Sequence, residues 1–331
     1  MAALAGEFAT LALVVAGAGV VLARAADAIA EATGLGRLIV GSLLLAAATS
    51  LPELSVDIAA VRRGAFDLAA GDLLGSSLMN LLILAVVDLA RRAGPPMLSR
   101  EAAAHALPAT LGIALTSLAG LAVLTAGQLP AAAILGVGGW AWAIVAAYVL
   151  GFRMVFIDQR ISARTAAEAG VVPHRQGLAW AATRFAVAAA VLWAAGPRLA
   201  ATADAIAEET GLGGTFVGTT LVAFTTSLPE LVATVAAVRA GAYDLAIGNT
   251  FGSNAFNMVL FAPLDAAHPG PLFAALAPGH AITAFAVIVA TAVAVLGQLY
   301  HVERRTPVCE PDAWLVLATV LGALGLVYRL S

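Results

Sequence analysis

A five-residue motif that occurs twice constrains this chain more than any other feature. Thr-Ser-Leu-Pro-Glu occupies residues 49–53 and returns at 226–230, each time inside a strongly apolar stretch. The segment ADAIAEATGLG at 26–36 also returns, as ADAIAEETGLG at 203–213, and each repeated residue lies 177 positions after its counterpart. Because a carboxylate in a membrane-length segment is costly, two identical occurrences indicate a duplicated chain with polar machinery at matching positions in both halves.

The composition indicates a membrane protein. Of the 331 residues, 61% are hydrophobic and only 11% are charged, whereas about a quarter of the residues are charged in soluble domains. The net charge of −3 and the lack of a basic stripe predict no nucleic-acid partner. Cys309 is the only cysteine, which excludes an intrachain disulfide and a two-cysteine metal or redox motif. Without a nucleophile–base pair or a nucleotide-binding loop, the sequence predicts neither an enzyme nor a bound cofactor.

The apolar runs predict an all-α integral membrane protein with ten transmembrane helices. A helix needs roughly 20 apolar residues to cross the hydrocarbon core, and many of the runs approach that length. The predicted spans are 6–24, 37–61, 66–90, 103–126, 129–152, 178–199, 213–238, 243–264, 279–299 and 312–330. Four acidic residues fall between these spans and are expected to be solvated caps: Asp27, Glu31, Asp204 and Glu208.

The arginines predict the orientation. With the N-terminus outside, twelve of the 17 arginines fall on the cytoplasmic side and four on the other, which follows the positive-inside rule. Five predicted spans separate equivalent points of the two halves, so the second half enters the membrane upside down, as in many secondary transporters. We expect inverted repeats at 1–152 and 178–331, a cytoplasmic linker at 153–177, and both termini outside the cell membrane.

The second and third predicted helices of each half carry the polar chemistry. Pro52 and Pro229 each remove a backbone donor, which predicts free carbonyl groups at 46–48 and 222–224. Carbonyls, hydroxyls and carboxylates form an all-oxygen set that suits hard cations such as Na⁺ and Ca²⁺. The third helices add a Gly-Ser-x-x-x-Asn motif. The candidate cation ligands are Glu53, Glu230, Thr49, Ser50, Thr226, Ser227, Ser76, Asn80, Ser253 and Asn257.

The two motif glutamates limit the possible occupants. Glu53 and Glu230 supply two negative charges, which one Ca²⁺, two Na⁺ or two protons would neutralise. An empty site with two negative charges would be costly to move through the hydrocarbon. The site therefore changes sides only when it is occupied, and ions that replace one another at it are exchanged.

Two aspartates distinguish the halves. Asp57 has the counterpart Thr234, and Asp72 has the counterpart Asn249. Asp57 fits either a cation ligand or a cavity wall, and Asp72 fits an extra protonatable group.

The paired motifs resemble those of the sodium/calcium exchanger family, within the cation/calcium antiporter superfamily. The similar segments are 37–85 and 213–262, and the ten-helix layout is similar over nearly the whole chain. The resemblance implies that the two glutamates are the central Ca²⁺ and Na⁺ ligands and that neighbouring hydroxyls and amides complete the sites. It also implies that the first and sixth helices slide to alternate access. Ala48 and Thr225 depart from the glycine that is usual in this family.

The hypothesis is therefore a secondary antiporter that exchanges Na⁺ for Ca²⁺ by alternating access and functions as a monomer, with a complete site in each chain. Its partners are the transported ions and the lipid bilayer. Three alternatives remain open: an H⁺-coupled antiporter of Ca²⁺ or another divalent cation, a cation channel with an oxygen-lined filter, and a membrane scaffold that transports nothing.

Overall fold

The chain is almost entirely helical in the computed structural model, which describes residues 1–90, 105–128, 133–168, 177–210, 224–299 and 311–330. The helices of the first half are α1 (Ala2–Thr33), α2 (Arg37–Ile39), α3 (Ala46–Thr49), α4 (Leu51–Arg62), α5 (Phe66–Ala90), α6 (Ala106–Thr125) and α7 (Gly139–Glu168). Those of the second half are α8 (Leu178–Glu209), α9 (Leu228–Arg239), α10 (Tyr243–Ala267), α11 (Leu272–Ala275), α12 (His280–Leu299) and α13 (Pro311–Leu330). A π-helix, Val40–Leu45, joins α2 to α3.

Six of the described helices are long and apolar enough to cross a membrane. The segments Arg37–Thr49 and Leu51–Arg62, which meet at a bend of 41°, make a seventh span if they are counted together. The prediction of an all-α chain with membrane-length helices is confirmed. The count of ten and the inverted arrangement stay predictions, and parts of the predicted spans lie outside the described residues: 103–104, 129–132 and 213–223.

The first helix of each half is longer than predicted. Helix α1 continues to Thr33 and α8 to Glu209, so the expectation that Asp27, Glu31, Asp204 and Glu208 lie between helices was wrong. In α1 both acidic side chains form ion pairs with Arg37. Its Nε lies 2.5 Å from Asp27 Oδ1, and its Nη2 lies 2.9 Å from Glu31 Oε1. Acidic residues four positions apart share one helix face, which lets one guanidinium bind both.

The fifth predicted span begins later than expected. Two short strands, Ala133–Ile134 and Val137–Gly138, form an antiparallel hairpin. Its turn uses positive φ angles at Leu135 and Gly136, 55° and 80°, the backbone that two-residue hairpins require. Helix α7 starts only at Gly139 and continues into the segment that was predicted to be a linker.

One compact unit comprises Met1–Val56 and Asp158–Asn249. In it, α1 packs along α8 and against α9, and two glycines at equivalent positions of the repeats make close contacts. A Cβ atom at Gly19 would lie 3.1 Å from Val232 Cγ1, and a Cβ atom at Gly196 would lie 2.4 Å from Pro52 Cβ. Each glycine therefore approaches the proline-containing helix of the other repeat.

The other compact unit comprises Asp57–Ile157 and Thr250–Ser331. Helix α12 packs against α6, α13 and α5, and α13 also packs against α5. Phe261 is fully buried, with its ring centre 4.9 Å from that of Phe273. Asp265 accepts hydrogen bonds from the backbone N–H groups of Gly138 and Leu272, which ties the hairpin to the end of α10.

Candidate cation-binding site

The repeated motif folds into the same backbone break in both halves. Ser50 has φ −83° and ψ 7°, and Ser227 has φ −81° and ψ 5°, values in the sparsely populated bridge region. A new helix starts after each serine, with Leu54 N–H donating to the Ser50 carbonyl at 3.2 Å. The motif prolines then occupy the first turn of α4 and α9, where a missing N–H is tolerated. Identical sequences have thus produced matching backbone breaks in the two repeats.

The break places each motif glutamate in the first turn of a helix. Glu53 lies in the first turn of α4 and Glu230 in the first turn of α9. Both side chains are buried, at 1% and 2% exposure. The positive end of the helix dipole favours a carboxylate at this position, which partly offsets the cost of removing the charge from water. Both glutamates belong to the unit that contains α1 and α8.

Hydroxyl groups flank the glutamates. Thr49 Oγ1 lies 3.2 Å from the Ala46 carbonyl and 3.4 Å from Asn249 Oδ1. Ser50 Oγ is buried and has no hydrogen-bond partner among the described residues. Thr226 and Ser227 are also buried. The serine oxygen at the first break is therefore a ligand atom that the fold leaves available.

The prediction of free carbonyls was wrong for Ala46. Its oxygen accepts the Ser50 N–H at 3.1 Å as well as the Thr49 hydroxyl. Because a proline has no N–H group, the carbonyl four residues before it loses its hydrogen-bond donor. For Pro52 that carbonyl belongs to Ala48, not to Ala46. Of the corresponding segment in the second repeat, residues 222–223 lie outside the described residues.

Close contact between α10 and the segment formed by α2 and the π-helix brings a further polar side chain to the first break. A Cβ atom at Gly41 would lie 2.6 Å from the Leu245 carbonyl oxygen, and one at Gly248 would lie 2.9 Å from the Leu38 carbonyl oxygen. Glycines at both places allow the backbones to touch, and Asn249 then reaches Thr49. Sequence reasoning did not include Asn249 among the ligands, although its alignment with Asp72 was a usable signal.

Asparagines connect α5 and α10 in the other unit. Asn80 Nδ2 donates to Asn254 Oδ1 at 3.0 Å, and Asn254 Nδ2 donates to the Ser77 carbonyl at 3.1 Å. Asn257 Nδ2 donates to the Leu73 carbonyl at 3.4 Å, while its buried Oδ1 accepts no hydrogen bond from the described residues. The amide nitrogens hold the helices together, which leaves an amide oxygen for a cation. Asn254 was not among the predicted ligands.

Each unit therefore collects candidate ligands from both repeats. One holds Thr49, Ser50, Glu53, Thr226, Ser227 and Glu230, and the other holds Ser76, Asn80, Ser253 and Asn257. All ten are buried. Within the described ranges no group of three or more His, Cys, Asp or Glu side chains could hold a metal ion, so neutral oxygens predominate. Buried oxygens beside such backbone breaks in a chain of membrane-length helices are typical of the secondary cation transporters.

The comparison with known families agrees with this class. Residues 3–157 and 180–309 match the family described as sodium/calcium exchanger protein. The chain belongs to the sodium/calcium exchanger family, within the cation/calcium antiporter superfamily. It is a multi-pass membrane antiporter of cations and not an enzyme.

Individual relatives are similar to different extents. Inner membrane protein YrbG of Escherichia coli (strain K12) is 30% identical over 253 residues, which cover 74% of each chain. Sodium/calcium exchanger MaX1 of Methanosarcina acetivorans is 52% identical over 59 residues, 18% of this chain and 17% of the relative. The structure of the sodium-calcium exchanger NCX_Mj soaked with 10 mM Na⁺ superposes with a TM-score of 0.68 at 17% identity, covering 98% of this chain and 99% of that one.

Proposed function

We propose that this antiporter exchanges Na⁺ for Ca²⁺ by alternating access, with Glu53 and Glu230 as the charged ligands of the transported ions. The carrying observation is that both glutamates are buried at matching positions directly after the same backbone break. Two buried carboxylates require cations, and one Ca²⁺ or two Na⁺ supply the same charge. Occupants of equal charge can replace one another at one site, which is the condition for exchange.

The neutral oxygens favour metal ions over protons as the coupled species. A proton needs a single oxygen, whereas Ca²⁺ takes six to eight oxygen ligands. The motif supplies hydroxyls at Thr49, Ser50, Thr226 and Ser227 beside the carboxylates. The sodium/calcium exchanger named MaX1 is 52% identical to a 59-residue part of this chain, which also favours Na⁺.

The serines and asparagines of α5 and α10 are proposed as further ligands. Ser76, Asn80, Ser253 and Asn257 are all buried at 2% exposure or less. Asn257 Oδ1 supports this role most directly, because a buried acceptor without a donor is rare in folded proteins. A bound cation would satisfy it.

The proposed arrangement is two inverted five-helix repeats, 1–152 and 178–331, joined by a cytoplasmic linker at 153–177. The constant offset of 177 residues and the reciprocal contacts of Gly19 and Gly196 support the internal symmetry. The arginine distribution supports termini that both face outward. Since the candidate ligands come from both repeats of one chain, the functional form proposed is the monomer.

The test is ⁴⁵Ca²⁺ uptake into proteoliposomes loaded with Na⁺, with external Na⁺ either absent or equal to that inside. We expect uptake only with the outward Na⁺ gradient. Glu53→Gln and Glu230→Gln should each lower the initial rate by about tenfold to a hundredfold, since a lost charged ligand costs about 1.5–3 kcal/mol.

The matched control is Glu7→Gln, which removes an exposed carboxylate from α1 and should leave the rate unchanged. Uptake that is equal with and without the Na⁺ gradient, but is lost when the pH gradient is dissipated, would contradict Na⁺ coupling and establish H⁺ coupling. Unchanged uptake in both glutamine variants would contradict the assignment of the ligands.

A further inference from the structure

A chain of hydrogen bonds joins α10 to α5. Asn254 Nδ2 donates to the Ser77 carbonyl oxygen at 3.1 Å, and Asn80 Nδ2 donates to Asn254 Oδ1 at 3.0 Å. All three residues are buried, with an exposed fraction of 2% or less. Because water has little access to these polar atoms, the two amides depend on each other and on the carbonyl for their hydrogen bonds.

The Ser77 carbonyl fixes the direction of the whole chain. A carbonyl oxygen can only accept a hydrogen bond, so Asn254 must turn its Nδ2 towards Ser77. Its Oδ1 then faces Asn80 and also accepts, so Asn80 must present its own Nδ2. The oxygen and nitrogen of an amide diverge from one carbon, so Asn80 Oδ1 is turned away from Asn254. Rotating either amide by 180° would bring two acceptor oxygens together.

This orientation matters because the two ends of an amide act oppositely on a cation. The oxygen is a good ligand for Na⁺ or Ca²⁺, whereas the N–H₂ group only donates hydrogen bonds and presents positive charge. Asn80 can therefore serve as the ligand proposed above only if its oxygen faces the ion. Ser76, another proposed ligand, precedes Asn80 by four residues and shares its face of α5.

The equivalent amide of the second repeat is oriented in a different way. Asn257 lies 177 residues after Asn80, and its Nδ2 donates to the Leu73 carbonyl oxygen at 3.4 Å. Its buried Oδ1 accepts no hydrogen bond from the described residues. In both repeats the amide nitrogen is therefore held by an acceptor and the amide oxygen is turned away from it.

Only one of the two positions equivalent to Asn254 carries an amide. Its counterpart is Ser77, whose hydroxyl donates to the Leu73 carbonyl of its own helix at 2.9 Å. Asn254 already reaches the backbone of this counterpart, so the two equivalent residues lie opposite each other. Asn254 thus orients Asn80, while a backbone carbonyl orients Asn257.

We propose that Asn254 is a positioning residue for cation binding, which holds the Asn80 amide so that its oxygen faces the transported ion. Both ends of the Asn254 amide are engaged, the oxygen by Asn80 and the nitrogen by Ser77. Without Asn254, the Asn80 amide loses the acceptor that fixes it and can turn its nitrogen towards the ion. The inference rests on the proposed function for the assignment of Asn80 as a ligand.

The first experiment measures Ca²⁺ binding to the full-length protein in detergent by isothermal titration calorimetry, in a Na⁺-free buffer. Asn254→Ala should weaken binding about fivefold to tenfold, the equivalent of one hydrogen bond. Asn254→Ser, which reproduces the residue of the first repeat, should weaken binding to a similar extent. The matched control is Ser77→Ala, which removes a hydroxyl that bonds within its own helix and should leave the dissociation constant unchanged.

A double-mutant cycle separates positioning from a general loosening of the helix contact. In an Asn80→Ala background, Asn254→Ala should cause no further loss of Ca²⁺ affinity, because the amide that it positions is gone. In an Asn80→Asp background it should not weaken binding either, because a carboxylate offers an oxygen in both orientations. The melting temperature should fall with Asn254→Ala in every background, since the hydrogen bond to the Ser77 carbonyl is lost in each.

An unchanged dissociation constant in both Asn254 variants would overturn the proposal, and so would an equal loss of affinity with and without Asn80. If Asn80→Ala alone left Ca²⁺ affinity unchanged, the assignment of this ligand in the proposed function would fail and the positioning role with it. A wild type that binds Ca²⁺ but shows no Na⁺-driven uptake would contradict exchange, while the cycle would still establish the role of Asn254 in binding.

Discussion

The hairpin formed by α4 and α5 and the hairpin formed by α9 and α10 are two copies of one design that differ in a few buried polar residues. Both begin at a serine with nearly equal backbone angles, place a buried glutamate in the first turn and close at a glycine with positive φ. Among their buried polar residues, Asp57 and Asp72 of the first copy correspond to Thr234 and Asn249 of the second. The shared features are those that the proposed cation site needs in both repeats, and the differing residues make the first copy the more acidic one.

A second difference concerns how the copies hold each other. Asn254 bonds Asn80 and the Ser77 carbonyl across to α5. Its counterpart, Ser77, instead donates to the Leu73 carbonyl of its own helix at 2.9 Å. The second copy thus provides the side chain that links the two helices, and the first copy provides the amide and the carbonyl that it binds. The two copies therefore have similar backbones but different side-chain hydrogen bonds.

The largest expected effect concerns the glycine contacts in the unit containing α1 and α8. Gly196→Ala should destabilise the protein by about 1–3 kcal/mol, because its Cβ would lie 2.4 Å from Pro52 Cβ and the helices must move apart. The equivalent Gly19→Ala should be near neutral: its Cβ would meet Val232 at 3.1 Å, and the helix propensity of alanine, up to about 1 kcal/mol better than glycine, offsets the strain.

The measurement is thermal unfolding of both variants in detergent, followed by tryptophan fluorescence. Equal melting temperatures for the two variants would show that the repeats pack symmetrically and would remove this distinction between them.

An effect of similar size is expected at the asparagine link. Asn254→Ala should cost about 1–3 kcal/mol, since the buried Asn80 amide loses its acceptor. Ser77→Ala should cost less than about 1 kcal/mol, because it removes only a hydroxyl that bonds within its own helix. Chemical denaturation in detergent would rank the two. Equal losses, or a larger loss for Ser77→Ala, would contradict a link that depends on Asn254.

The smallest effect is expected at the ion pairs of Arg37. Its partners, Asp27 and Glu31, have the counterparts Asp204 and Glu208, yet the residue equivalent to Arg37 is Gly214. Arg37→Ala should cost no more than about 1 kcal/mol, because the pairs are partly exposed, and high salt should reduce the cost.

Melting temperatures at low and high salt test this expectation. Arg63→Ala is the control, since the described residues offer Arg63 no ion-pair partner. A loss that is insensitive to salt would indicate that Arg37 contributes by packing rather than by charge.

The features that could be predicted from the sequence are those that local chemistry controls, such as the two helix breaks. A proline four residues after a carbonyl must weaken the helix there, and a glutamate following that proline must lie in the next helix's first turn, so the breaks at Ser50 and Ser227 follow from the motif. The same reasoning was wrong for Ala46, whose carbonyl keeps its N–H donor. It was also wrong for Asp27, Glu31, Asp204 and Glu208, because α1 and α8 continue beyond their apolar runs to Thr33 and Glu209.

By itself, the sequence determined an all-α membrane chain of the exchanger family, the duplication, and the kinds of oxygen atom that lie at the two breaks, since apolar length, proline position and residue identity act locally. The tertiary structure alone decided which polar atoms meet. Asn249 reaches Thr49 because two glycines let backbones touch, and Asn254 on α10 reaches Asn80 and the Ser77 carbonyl on α5. Such pairings depend on helix approach and rotation, which arise from packing over the whole chain and leave no mark in any one segment.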